Sequence, residues 1–172
     1  MTGPARFEAR NYSLPAIADG SVPALGPLPE KIAPALSEAI VTMDPWRTYH
    51  YPAEALCRML TADEAGVPRF AISLDSAIVG ACVIRPTWLR GPYLQFLALL
   101  PAAHNRGIGA AFLAWMEDEA RRAEERNLWV AASQINTGAI RFYERAGFTK
   151  VADLDDLACD GRTEFLFRKR IT

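Results

Sequence analysis

The feature that most constrains the fold is the order of events between Tyr93 and Glu125. An almost unbroken apolar run, Tyr93 to Leu100, is closed by Pro101. A loop with two glycines follows, and then a long amphipathic pattern. A continuous apolar strand is covered on both of its faces, so this chain needs helices on both sides of a sheet. From Ile108 the residues Ile108, Ala111, Phe112, Trp115, Ala120 and Ala123 fall on one stripe at helical spacing, which predicts a helix to about Glu125. Glu117 with Arg121, and Asp118 with Arg122, are expected as i,i+4 pairs on its wet side.

The rest of the chain extends this pattern. Pro15 to Pro34 holds five prolines and is expected as a loop, with one weak early strand in the N-terminal part. A helix is expected over Glu30–Thr42, with Pro34 in its first turn, where proline is tolerated. Asp44-Pro45 ends it, and a second helix runs from Pro52 to about Thr61. Arg69–Leu74 and Ala77–Arg85 read as strands joined by an Asp75-Ser76 turn. Leu128–Ser133 is a further strand. Asn136 can cap a helix to Ala146, and Gly147 suits its C′ position. Phe148–Leu154 and Glu164–Arg168 then form a hairpin, with Asp160-Gly161 as a turn. The fold class is therefore α/β (α+β): a central mixed sheet with helices on both faces, the two late helices acting as crossovers. The length of 172 residues suits one domain spanning 1–172.

Composition removes several function classes. About half of the residues are apolar, enough for one core, and the net charge is −1. A near-neutral chain argues against nucleic acid as the main partner. The three cysteines, Cys57, Cys82 and Cys159, are odd in number and widely spaced, so neither a disulfide framework nor a zinc site is expected. The two histidines, His50 and His104, lie near no cysteine, and no metal is expected. Met1–Asn11 lacks an apolar signal core, and no stretch approaches a membrane span, so a cytoplasmic chain with no membrane partner is expected.

The chemistry is expected in His104-Asn105-Arg106-Gly107-Ile108-Gly109. Glycines let backbone N–H groups approach an anion, and a helix N-terminus adds unpaired donors and partial positive charge. Together they suit a pyrophosphate. A tight turn ahead of a plain helix would satisfy the same residues. The dinucleotide fingerprint is broken by Phe112 at its last position, and the P-loop lysine is replaced by Ala110.

A second cluster follows: Asn136-Thr137-Gly138-Ala139-Ile140-Arg141-Phe142-Tyr143-Glu144-Arg145-Ala146-Gly147-Phe148. Leu97-Ala98-Leu99 with Pro101, then the Arg106-Gly107-x-Gly109 turn, then this asparagine-to-Gly-Phe segment, resemble the coenzyme A core of the GNAT N-acetyltransferase superfamily. The likeness covers Tyr93–Phe148, about a third of the chain. It implies a GNAT-like central mixed, mostly antiparallel sheet of about six or seven strands. It also implies acetyl-CoA as co-substrate and transfer of acetyl to a primary amine, on a small molecule or a peptide, by direct attack in a ternary complex.

Carried over by position, the resemblance gives each residue a role. The backbone of Leu97, Ala98 and Leu99 would pair with the pantetheine arm and supply an oxyanion donor. His104, Asn105, Arg106, Gly107, Ile108 and Gly109 would hold the pyrophosphate. Asn136 would sit by the cofactor arm while capping its helix. Tyr143 would protonate the departing thiolate. An aromatic at this helical spacing also serves as core, and that alternative stands beside the catalytic one.

Two departures stand out. The first cradle position, often Gln or Arg in the family, is His104. The positions where relatives place a basic carboxylate are Gln95 and Ala131, which cannot ionise, although a lysine-like amine (pKa ~10.4) must lose a proton before attack. A water chain ending at Glu54 or Tyr49 is one substitute. The aromatic connection Asp44–Tyr51 is expected to border the acceptor site, with Trp46, Tyr49, Tyr51, Trp88 and Gln95 as pocket residues and Arg47 favouring an acidic group. Core packing by Trp46 and Tyr49, or a homodimer contact, would use the same aromatics. A non-catalytic acyl-CoA sensor and a nucleotide-binding regulatory domain are the competing functions.

Overall fold

The computed structural model describes residues 7–171; the first six residues of the N-terminal expectation lie outside it. Among the described residues, eight strands form one sheet in the order β1-β2-β3-β4-β5-β6-β8-β7. The strands are β1 (Tyr12–Ser13), β2 (Ala24–Pro27), β3 (Arg69–Leu74), β4 (Ala77–Trp88), β5 (Gly91–Leu99), β6 (Asn127–Ser133), β7 (Thr149–Asp155) and β8 (Thr163–Arg170). Only β5 and β6 pair in parallel. The count exceeds the expected six or seven because the proline-rich segment contributes β2. Pro27 is the last residue of that strand, a position where the missing N–H costs little.

The helices are α1 (Ala33–Val41), α2 (Ala53–Thr61), α3 (Ile108–Arg122) and α4 (Thr137–Arg145). The expected helix from Glu30 begins as one 3-10 turn, Glu30–Ile32, and becomes α-helical at Ala33 with proline in its first turn. Leu36, Ile40, Leu56 and Leu60 pack on Ala81, Val83, Phe96 and Ala98 on one face of the sheet. Phe112, Trp115, Met116 and Tyr143 pack on Phe70, Cys82, Ile84 and Leu94 on the other. The period-2 alternation of β4 thus feeds two cores, and helices cover both faces.

Of the two ion pairs expected on α3, Glu117–Arg121 forms and Asp118–Arg122 does not. Arg121 bonds Glu117 and also Asp118, the latter at 3.3 Å, while Arg122 reaches Glu119 instead of Asp118. Glu117 is not on a wet face. It is half-buried and accepts from Lys169 of β8 at 2.5 Å.

The sheet opens at its centre. β5 and β6 pair at Tyr93↔Trp129 and Leu94↔Val130, and the pairing stops there. Gln95 is the cause. Val83 faces Phe96 while Ile84 faces Leu94, so Gln95 is an extra residue, a β-bulge in β5. A bulge bends its strand and increases the local twist. Beyond it β5 leaves β6, which continues against β8. The backbone edge of Gln95–Leu99 is left facing a cleft.

Candidate active site

Two cavities occupy this cleft. The larger, about 660 Å³, lies over the edge of Leu97–Leu99, the loop at His104–Gly107 and the start of α3, and reaches α4 at Asn136, Ala139 and Tyr143. The smaller, about 340 Å³, lies between Gln95–Leu97 of β5 and Val130–Ser133 of β6, beneath the α1–α2 connection. Both are lined by Trp46, Leu97, Asn136, Ala139 and Tyr143. The shared residues are where two bound molecules would meet.

One end of the larger cavity presents backbone donors that suit an anion. Gly107 sits at φ 87° as the residue before α3, a left-handed conformation that glycine adopts without strain. No side chain caps α3, and the first N–H bonded within the helix is that of Ala111, to Gly107. The N–H groups of Ile108, Gly109 and Ala110 therefore lie at the cavity with no helical acceptor. A Cβ on Gly109 would stand 3.0 Å from Cζ of Phe142, so glycine there also lets α4 approach α3. These features fit the diphosphate of a coenzyme A.

His104 and Arg106 sit differently from one another. His104 lines the cavity, and its Nε2 bonds the Leu99 carbonyl oxygen at 2.7 Å. The imidazole thus ties the loop to the open edge of β5. Arg106 does not line the cavity; its guanidinium donates to Asp19 at 3.0 Å. The backbone N–H of Ser21 and then Arg106 hold the Asp19 carboxyl at about 2.

Asn136 caps α4 by accepting from the Ala139 N–H at 3.0 Å, while also lining both cavities, so its two expected roles are compatible. Tyr143 is 6% exposed. Its ring packs on Phe142 at 5.1 Å, Phe148 at 5.7 Å and Phe167 at 6.3 Å. Burial, and then Tyr93, push its phenol far above the ordinary tyrosine value. It is a core aromatic that also reaches the junction of the two cavities.

The aromatic connection is sorted by the fold. Trp46, Tyr49 and Tyr51 line the smaller cavity, and Trp46 also packs on Phe96 at 5.4 Å. Trp88 does not line it. It packs against Tyr93 at 4.9 Å and edge-to-face with Trp129 at 5.2 Å at the end of β4, because that strand runs three residues beyond Arg85. Arg47 is engaged by Asp44 at 2.5 Å. Glu54 lies in the groove between α1 and α2, away from the cleft. The Gln95 side chain accepts from Arg85 at 2.7 Å, and Arg85 is itself held by Glu64 at 2.6 Å.

One carboxylate of the cleft was not expected. Glu164, at the start of β8, stands opposite Ser133 of β6 and lines the smaller cavity. Tyr49 donates to its Oε1 at 3.2 Å and is also hydrogen-bonded to the Ser133 hydroxyl. Desolvation raises the Glu164 pKa above the ordinary carboxylate value, against the hydrogen bonds of Tyr49 and Ser133. The one sequence signal was its phase: on β8 Glu164 shares a face with the buried Leu166.

The comparisons with known proteins match this geometry. The family model of the acetyltransferase (GNAT) family matches residues 33–148, more than half of the chain. The chain belongs to the GNAT acetyltransferase family. Acetyltransferase Atu2258 from Agrobacterium fabrum is 34% identical over 86 residues, which are 49% of this GNAT chain and 59% of that protein. The chain thus spans less than two thirds of that relative's length. Among solved structures, the ribosomal-protein-S18-alanine N-acetyltransferase from Escherichia coli has a TM-score of 0.68 at 16% identity, covering 87% of this chain and 94% of that one. RimJ of Mycobacterium smegmatis, in complex with CoA-disulfide, has a TM-score of 0.69 at 19% identity, covering 94% and 88%. At these identities the likeness is one of fold. No helix among the described residues is long and apolar enough to cross a membrane.

Proposed function

We propose that this GNAT-family chain is an N-acetyltransferase that moves the acetyl group of acetyl-CoA directly to a primary amine, with Tyr143 as general acid. The observation that carries this reading is the meeting of two cavities at Tyr143, Asn136 and Leu97. The larger suits the cofactor: bare helix N–H groups for the diphosphate and an open strand edge for the pantetheine amides. The smaller suits the acceptor. Direct attack needs only that the two molecules touch, and no cysteine stands beside a histidine to favour an acyl-enzyme.

The proposed division of labour follows. Backbone N–H groups of Leu97–Leu99 hold the arm and polarise the thioester carbonyl. Tyr143, kept protonated by its burial, donates to the sulfur as the C–S bond breaks. The sensor reading drew slight support from the missing carboxylates at Gln95 and Ala131, and Glu164 offers the smaller cavity a carboxylate from another strand. Two measurements test the reading together. Acetyl-CoA should raise the melting temperature while ATP and NAD do not. Thiol should then be released from acetyl-CoA on adding members of a mixed primary-amine panel. Binding without thiol release across the panel would make the chain a sensor instead.

A further inference from the structure

The geometry points to Glu164 as the general base of the reaction, and to its acceptor as a small primary amine that is cationic in solution, carries an apolar or aromatic body and has no carboxylate. This rests on the transfer reading above and names the half of the chemistry that it leaves open.

Three observations on the smaller cavity carry it. Glu164 is the one charged side chain among the residues lining it, and no lysine or arginine joins them. An ammonium group thus meets an anion in the lining, whereas the cation nearest to a carboxylate or phosphate on the acceptor is Arg162, outside the lining and over the Tyr49 ring at 5.9 Å. Pro45, Trp46, Tyr51 and Phe96 give the cavity a flat apolar part beside its polar one, in a volume of about 340 Å³. That lies at the small end of ligand sites. Glu164 is also oriented: Tyr49 from the α1–α2 connection and Ser133 from β6 form a chain of hydroxyls at it. Both are positioning residues. Burial raises its pKa above that of an exposed carboxylate, which makes it the stronger proton acceptor of the two.

The step balances as follows. Glu164 accepts one proton from the bound ammonium and passes it to solvent. The nitrogen lone pair forms a bond to the thioester carbonyl carbon. As the C–S bond breaks, the sulfur takes its electron pair and the proton of Tyr143. The second proton of the nitrogen replaces the one that Tyr143 gave. The products are the acetamide and free coenzyme A thiol.

The titratable and charged groups around Glu164 are Tyr49, Tyr93 of β5, Arg162 over the Tyr49 ring at 5.9 Å, and Cys159 at the cavity mouth. Both tyrosines titrate above their ordinary value, outside the range between pH 6 and 9. Profiles should therefore be repeated in a Cys159→Ala background.

The test uses the full chain, acetyl-CoA, and a matched pair of probes: 2-phenylethylamine, and phenylalanine, which adds only a carboxylate. The amine should exceed the amino acid by at least ~10²-fold in kcat/KM. Glu164→Gln should lower kcat on 2-phenylethylamine by ~10²–10³-fold, with rates that climb with pH up to the amine pKa. Glu164→Asp should recover part of the rate and the wild-type pH profile. Acetyl-CoA should raise the melting temperature of all three proteins equally. Equal turnover of both probes, or none of the amine while acetyl-CoA still binds, overturns the acceptor class. A Glu164→Gln rate that keeps the wild-type pH profile overturns the base. Failure of wild type to bind acetyl-CoA strikes the transfer reading instead.

Discussion

Replacing Tyr143 with phenylalanine separates packing from chemistry at the junction of the two cavities. The ring contacts with Phe142, Phe148 and Phe167 are all made by carbon atoms and survive the change. Stability should therefore move by no more than about 1 kcal/mol, the scale of one hydrogen bond. The hydroxyl is a different matter. Burial keeps it protonated through neutral pH, which is the state a general acid requires. General acids contribute ~10²–10⁴-fold, and at ~1.36 kcal/mol per decade that is about 2.7–5.4 kcal/mol of barrier. The loss should appear in single-turnover thiol release at saturating acetyl-CoA, which isolates the chemical step from product release. The Kd for acetyl-CoA, by calorimetry, should stay within ~3-fold, because cofactor contacts elsewhere are untouched. A single-turnover rate within ~3-fold of wild type would show that Tyr143 is a packing residue only. A rate loss that tracks a fall in Tm would assign the effect to the ring, not the proton.

Other changes probe the cradle and the core. Gly107→Glu should abolish acetyl-CoA binding by calorimetry, since it adds a carboxylate and a strained left-handed residue beside the helix N–H groups. Gly107→Asn, which tolerates that conformation and adds no charge, should fold normally and bind more weakly. Asp19→Asn releases the Arg106 guanidinium from its ion pair. It should tighten acetyl-CoA binding a few-fold at low salt, fading at high salt, and an unchanged Kd would give Arg106 no part in the site. Cys82 is buried, and burial raises its thiol pKa far above the ordinary value. Above about pH 9 the unfolded chain loses that proton while the folded chain keeps it, so stability falls as pH rises, by up to about 1.4 kcal/mol per unit. Cys82→Ala should flatten that alkaline slope in chemical denaturation, and an identical slope would refute the assignment.

Local signals were legible in the sequence because each involves residues a few positions apart. Asn136 and Gly147 bracket α4, Gly107 turns into α3, and Asp75-Ser76 joins β3 to β4 with both residues at positive φ. Cap and turn geometry depends on neighbouring backbone alone. The long helix and the apolar strand announced the layers, and the paired motifs announced the family. The ion pairs of α3 were legible only in part, since whether Asp118 or Glu119 holds Arg122 depends on side-chain directions and on the pull of Lys169 from another strand.

The smaller cavity needed the tertiary structure. Tyr49, Ser133 and Glu164 lie 84 and 115 residues apart along the chain, measured from Tyr49. They meet because β8 inserts between β6 and β7, a choice of strand order that no local pattern encodes. The bulge at Gln95 is likewise a mismatch between partners, visible only once β4 and β5 are in register. It parts β5 from β6 and makes the cleft. Trp88 and Arg47 had suitable chemistry for an acceptor site, but strand length took one away and Asp44 engaged the other. By itself the sequence determined the helices, the cap of α4, the layers and the glycine turn into α3, because those depend on period and short-range geometry. Only the tertiary structure decided which carboxylate lines the smaller cavity, because that depends on pairing between strands far apart in the chain.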